Sequence, residues 1–157
     1  MSALERFLHD KKNPYPAIIK AALVHVQFET IHPFLDGNGR LGRLLVTFLL
    51  CAEGALNEPT LYLSLYFKNR RKEYYDLLQG VRVEGDWEAW VRFFVEGVKE
   101  TSELAISTVR RLVKLFEDDH RKIQSIGRAA GSVLRVHQAL QKSPIATVAK
   151  ITQLTEL

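Results

Sequence analysis

An all-α fold is what the sequence predicts, on three observations. Apolar residues recur at the 3.6-residue spacing of helices over most of the chain. Strict apolar–polar alternation, the mark of a half-buried strand, is scarce. Glycine and proline stand between the periodic stretches rather than inside them. The 157 residues, 46% hydrophobic and 25% charged, suit one globular domain with a small appendage. No signal peptide is expected, and the sequence has no run of about 18 apolar residues that could span a membrane. A single cysteine, Cys51, excludes an internal disulfide framework. A cytoplasmic protein with no membrane partner is the expectation.

The elements follow in order. Residues 1–10 predict a short helix, broken by Asn13-Pro14-Tyr15-Pro16. The next helix is expected from about Ala17 to Thr30, with Ile19, Ala22, Leu23 and Val26 on one apolar stripe. His32-Pro33-Phe34 ends it, because a residue before proline is pushed out of the helical region. Asp36-Gly37-Asn38-Gly39 reads as a turn. A third helix begins at Asn38 or Gly39, with Leu41, Leu44, Leu45, Phe48, Leu49 and Ala52 as its stripe and Gly54 as its stop. A loop with Pro59 precedes a helix over about Lys68–Gln79. The strongest periodicity runs from Trp87 to Phe116 and predicts one helix of roughly 30 residues, about 45 Å long. Ser125–Ser132 reads as a joint, Val133–Gln141 as a short helix, and Ala146–Leu154 as the start of another.

Net charge is +4 and the pI near 9.3. The basic clusters Lys11-Lys12, Lys68–Lys72 and Arg110-Arg111 are spread thinly and read as solvated helix faces rather than a polyanion site.

The chemistry concentrates in His32–Arg43, HPFLDGNGRLGR. Gly37 and Gly39 flank one residue directly before an amphipathic helix, so the backbone can adopt positive φ and approach a ligand closely. Successive N–H groups there form a concave anion nest, reinforced by the free N–H groups of the helix start. Phosphate is the expected guest. Arg40 and Arg43, three residues apart, are expected to share a face opposite the apolar stripe and to reach phosphate oxygens. Asp36 beside a phosphate implies an intervening cation, and Mg²⁺ needs only one or two carboxylates when phosphates supply the rest. His32 is the residue of the loop suited to general-base work at neutral pH. Gly37–Gly42 also fits G-x-G-x-x-G, but that fingerprint requires a preceding strand, and here a helix precedes it.

The loop matches H-P-F-x-D-G-N-G-R-x-x-R position for position, and so resembles the signature of the Fic domain family. Ile18–Ala22 through Gln27-Phe28-Glu29 is similar to the helix before that motif. Leu63–Tyr66, Tyr74-Tyr75 and Glu84–Trp87 are similar to segments after it, so that the likeness covers about residues 4–118. The resemblance implies a helical bundle with the active-site loop between two core helices, and an enzyme that moves AMP from ATP to a Ser, Thr or Tyr hydroxyl of a target protein. By matching position, His32 would deprotonate the hydroxyl and Asp36 would hold Mg²⁺. Gly37, Asn38 and Gly39 would cradle the phosphates. Arg40 and Arg43 would bind the outer phosphates, Arg43 also being the usual partner of an inhibitory glutamate. Phe34 would anchor the loop in the core. Tyr74 and Tyr75 are assigned either to base and ribose contacts or to aromatic packing. Gly39-Arg40 stands where the related Doc-type kinases carry a lysine, which favours nucleotidyl over phosphoryl transfer.

The same resemblance implies a Fic core over 1–124, without the upstream flap and inhibitory helix, and a linker with a partial winged-helix-like segment over 125–157. The chain is thus expected to be cut at both ends. A homodimer is an expected partner state, and nucleic acid is not expected as a partner of this fragment. Two other readings stay open: an enzyme that removes AMP, and a dormant core serving as a regulatory or interaction module.

Overall fold

The computed structural model describes residues 1–10 and 12–157, so that Lys11 of the first basic cluster lies outside the described residues. Among the described residues there are helices and no strands, as the periodicity predicts. In chain order they are α1 (Ser2–His9), α2 (Ala17–Ile31), α3 (Asn38–Ala52), α4 (Leu63–Asn69), α5 (Arg71–Glu84), α6 (Trp87–Gln124), a 3₁₀ turn (Gly127–Ala129), α7 (Ala130–Lys142) and α8 (Val148–Thr155). The chain forms two compact units, Met1–Ile106 and Ser107–Leu157.

In the first unit α2 is the central element. The single stripe expected of it is not what its surroundings show. Ala21, Ala22, Val24 and Val26 are fully buried, and Lys20, His25, Phe28 and Glu29 are buried with them. The helix is therefore enclosed on nearly every side. Partners reach Lys20 and one ring nitrogen of His25, which offsets the cost of burying them. Lys20 Nζ donates to Leu8 O at 2.8 Å and pairs with Glu53 Oε1 at 2.5 Å, tying α1, α2 and the end of α3 together. His25 Nε2 lies 3.0 Å from the Tyr74 hydroxyl.

The apolar face of α3 is rotated from the expected stripe. Leu41, Leu44 and Phe48 are exposed, and Asn38, Gly42, Val46, Leu49 and Leu50 are buried. Gly42 is the reason. A Cβ there would stand 2.7 Å from Glu29 Oε1 and 3.3 Å from the His25 ring, so that α3 closes on α2 along its side-chain-free edge. The stop at Gly54 is as expected, with φ +72 just past the end of α3.

The helix expected over 68–79 is two helices. Arg70 (φ −115, ψ 39) breaks the chain between α4 and α5. The helix opening at Trp87 runs 38 residues, longer than expected, and Asp86 Oδ1 caps its start by accepting from Ala89 N–H at 3.1 Å. Trp90 and Phe94 of α6 fill the core, and Trp90 Nε1 donates to Ala22 O at 2.9 Å. Gly97 lets α6 approach α4, because a Cβ there would meet the Tyr66 ring at 2.7 Å. The second basic cluster is largely engaged: Arg70 pairs with Glu100 at 2.7 Å and covers the Tyr66 ring, and Lys72 pairs with Asp76 at 2.7 Å.

In the second unit Phe116 meets the His137 ring edge-on, and Asp119 lies 3.6 Å from His137 Nε2. Arg135 donates to Thr155 O at 3.2 Å, joining α7 to α8, whose start is capped by the Thr147 hydroxyl.

Candidate active site

The loop between α2 and α3 is positioned by three local devices. The first closes α2. His32 adopts φ +48 and ψ 57, and its N–H donates to Phe28 O at 2.9 Å. A non-glycine residue in the left-handed region is uncommon and strained. The proline that follows disfavours the right-handed helical alternative for His32. Arg82 of α5 supports this end of the helix by donating to Glu29 O at 2.8 Å and to Thr30 Oγ1 at 3.2 Å. It thereby satisfies a terminal carbonyl that has no helical partner. His32 itself is exposed.

The second device is Asn38. Its side chain is almost completely buried and clamps the loop backbone from both sides: Oδ1 accepts from Phe34 N–H at 2.9 Å, and Nδ2 donates to Phe34 O at 2.6 Å. The side-chain amide is thus occupied, and what Asn38 can offer a phosphate is its backbone. Phe34 does not anchor the loop in the core as expected. Its ring is about half exposed and tilts against the Phe28 ring at 6.5 Å between centroids. The hold comes from hydrogen bonds to its backbone instead. Leu35, next to it, stands fully in solvent.

The third is Gly37, the residue before α3, with φ +82. This conformation costs glycine little and turns the chain directly into the helix. No side chain caps α3, so its first N–H groups are available to an anion.

Around this helix start stand the charged residues. Asp36 and Arg40 are both exposed, 3.3 Å apart. Arg43, three residues on along the same helix, is less exposed than Arg40. It is half-buried, and a Cβ on Gly39 would lie 3.2 Å from its Nη1. The rotation of α3 about Gly42 brings Arg43 toward α2, and its positive charge acts on His25, Glu29 and Tyr74.

Tyr74 belongs to the core. It is 5% exposed, its hydroxyl is engaged with His25, and burial pushes the phenol well above its usual range. Of its two sequence assignments, packing is the one it occupies. Tyr75 is exposed, with the Arg71 guanidinium 5.7 Å from its ring centroid.

Two residues beneath the loop were not singled out from the sequence. His25 has no exposed surface and packs against the rings of both Phe67 and Trp90, which also touch each other. Burial, aided by Arg43, lowers it to about 4, so it is neutral at physiological pH. Glu29, 7% exposed, has an Oε1 without a hydrogen-bond partner, and burial raises its carboxyl above the usual value. A signal for both exists: His25, Glu29 and His32 follow at spacings of four and three, one helical face leading into the loop.

Comparison with known proteins bears on this site. Residues 1–50, which include the whole loop, match the model of the Fic/DOC family. Over 123 residues the chain is 42% identical to a protein adenylyltransferase Fic of Culex quinquefasciatus, covering 73% of this chain and 23% of that protein. The chain belongs to the Fic/DOC family. A protein adenylyltransferase Fic of Drosophila virilis is 31% identical over 126 residues (76% of this chain, 24% of the relative), and one of Drosophila grimshawi is 35% identical over 105 (64% and 20%). The chain therefore spans between a fifth and a quarter of the length of these curated Fic relatives. Among the described residues no helix is long and apolar enough to cross a membrane.

The Fic loop contains one carboxylate, Asp36, and among the described residues no cluster of three or more His, Cys, Asp or Glu side chains is placed to hold a metal. A single exposed carboxylate at an anion-binding helix start fits a cation bound largely by phosphate oxygens rather than by a protein cage.

Proposed function

We propose that this chain carries the catalytic part of a protein adenylyltransferase, which moves AMP from ATP to a Ser, Thr or Tyr hydroxyl of a target protein. The observation that carries this reading is the convergence at one uncapped helix start. An exposed histidine, an exposed carboxylate and two arginines surround a glycine turn whose backbone is clamped in place by Asn38. The likeness to protein adenylyltransferases of the same family supports this reading.

In this reading the start of α3 and Arg40 bind the nucleotide's phosphates, and Arg43 turns toward their outer oxygens. Asp36 holds Mg²⁺, which neutralises phosphate charge when bound. His32 accepts the proton of the target hydroxyl as its oxygen attacks the α-phosphorus. The bond from the α-phosphorus to the bridging oxygen breaks, and pyrophosphate leaves with the electron pair. The protein's work is positioning and charge stabilisation, the usual division in such transfers. Exposure suits His32 to this role, because the target hydroxyl must reach it from solvent. In this reading Tyr75, exposed on α5, makes the base or ribose contact.

The test uses ATP labelled at the α or the γ position, incubated with the chain, Mg²⁺ and a protein extract. Protein labelled from the α position is expected. Label from the γ position alone would establish a kinase, and no label from either would refute transferase activity in this chain.

A further inference from the structure

The buried carboxyl of Glu29 has no place in the steps above. It lies on α2 one turn before His32, is 7% exposed, and leaves Oε1 without a hydrogen-bond partner. A buried polar atom left unsatisfied is costly, and where a native fold keeps one it calls for an explanation. The surroundings supply it. Oε1 faces α3 where that helix has no side chains: a Cβ on Gly42 would stand 2.7 Å from it, and one on Gly39 3.8 Å from it. The same point above Gly39 is 3.2 Å from Arg43 Nη1. Gly39 therefore floors a small gap with the Glu29 carboxyl on one side and the Arg43 guanidinium on the other. The gap opens at the first turn of α3, where the anion-binding N–H groups lie. The other charged groups acting on Glu29 are His32 and Arg82, and Arg82 is occupied by the carbonyl end of α2.

We propose that Glu29 is an internal counter-charge for Arg43, competing with the outer phosphates of the nucleotide for that guanidinium and so setting how readily the site fills. The proposal rests on the nucleotide-binding reading of the loop. Its physical content is a choice between two partners. Without a ligand, the Arg43 guanidinium stands across Gly39 from the carboxylate, not bonded to it but near enough for its charge to act on Glu29. With a polyphosphate at the start of α3, it turns to the phosphate oxygens, which accept a bidentate guanidinium and carry more charge. Glu29 then loses its counter-ion next to a new anion, which favours its neutral form. Glu29 touches no substrate and acts only through Arg43, as a positioning residue. It differs from an inhibitory glutamate on a separate helix in that it belongs to the core helix that carries the loop.

The experiment is calorimetric titration of the full chain with Mg²⁺–ATP and with inorganic triphosphate. It compares wild type, Glu29→Gln, Arg43→Gln and the double variant. Glutamine keeps the shape of Glu29 and removes its charge. Binding of both ligands is expected to tighten about tenfold in Glu29→Gln, the order of effect of removing one charge in a partly screened site. Arg43→Gln is expected to weaken binding and to abolish most of the gain in the double variant. A gain of affinity cannot arise from damaged folding. Should Glu29→Gln not fold, carbon-13 NMR of the Glu29 carboxyl in the wild type decides: its titration midpoint must rise when triphosphate is added, read alongside those of His25 and His32. Affinity in Glu29→Gln equal to or weaker than wild type, or an unmoved midpoint, overturns the counter-charge while leaving the nucleotide site intact. Absence of binding in both wild type and Glu29→Gln overturns the nucleotide site as well. Binding seen only in Glu29→Gln supports the proposal in its strongest form.

Discussion

Replacing Asn38 by alanine removes the clamp that holds the loop, and the cost follows from the structure. Two hydrogen bonds to Phe34 are lost, at 2.9 and 2.6 Å, from a side chain that is 2% exposed. Each such bond contributes about 1 kcal/mol net, and the Phe34 N–H and C=O lose a partner in a partly buried setting. Alanine also leaves a small void at the α2–α3 contact. Together these predict a loss of roughly 2–4 kcal/mol in unfolding free energy. Alanine's better helix propensity offsets only a few tenths of that. Urea denaturation followed by circular dichroism measures it, and amide hydrogen exchange localises it: the Phe34 N–H should lose its protection while core amides of α2 keep theirs. Nucleotide binding should weaken in parallel, because the turn at Gly37 is no longer held. A loss under about 1 kcal/mol with Phe34 still protected would show that the loop is held by something other than Asn38.

Three further predictions complete the set. His32→Ala should abolish label transfer from α-labelled ATP yet change stability by no more than about 1 kcal/mol, because the side chain is exposed; retained transfer would remove His32 from the base role. His25 sits at about 4 in the fold against an ordinary value of 6.5. Its contribution is therefore present above pH 6.5 and is lost as pH falls toward 4, at a cost of roughly 3 kcal/mol. Glu29, raised by burial, works in the opposite sense, favouring the fold at low pH and losing that contribution as pH rises through its folded value. Denaturation at a series of pH values should therefore show the His25 loss between pH 6.5 and 4 opposed by the Glu29 contribution, and NMR should show no His25 titration above about pH 5. Lys20→Ala should destabilise by about 2–4 kcal/mol, since it deletes a 3% exposed cation that bonds both Leu8 O and Glu53; a loss below 1 kcal/mol in chemical denaturation would show that this bridge contributes little to joining α1, α2 and α3.

The helical class, the order of most elements and the identity of the loop were legible in the residues alone, because each is a local property. Helical periodicity needs only neighbours within a few turns. A proline after His32 and a glycine at 37 dictate a helix end and a sharp entry into the next helix whatever surrounds them. The Fic motif is likewise contiguous, so that no fold was needed to see it. Where local signals were mixed, as at Arg70, one expected helix became two.

What only the tertiary structure decided is which side of each helix faces what. The stripe of α3 turned because Gly42 allows a closer approach to α2 than any leucine would, and that contact joins residues far apart in sequence. The same packing half-buried Arg43 near Glu29 and buried Asn38 as a clamp. Tyr74 and Tyr75, adjacent and chemically identical, went to core and surface because α5 offers one face to His25 and the other to solvent. Spacing along a helix names the residues that share a face. It does not say which neighbour fills that face, because close packing across the bundle settles the matter.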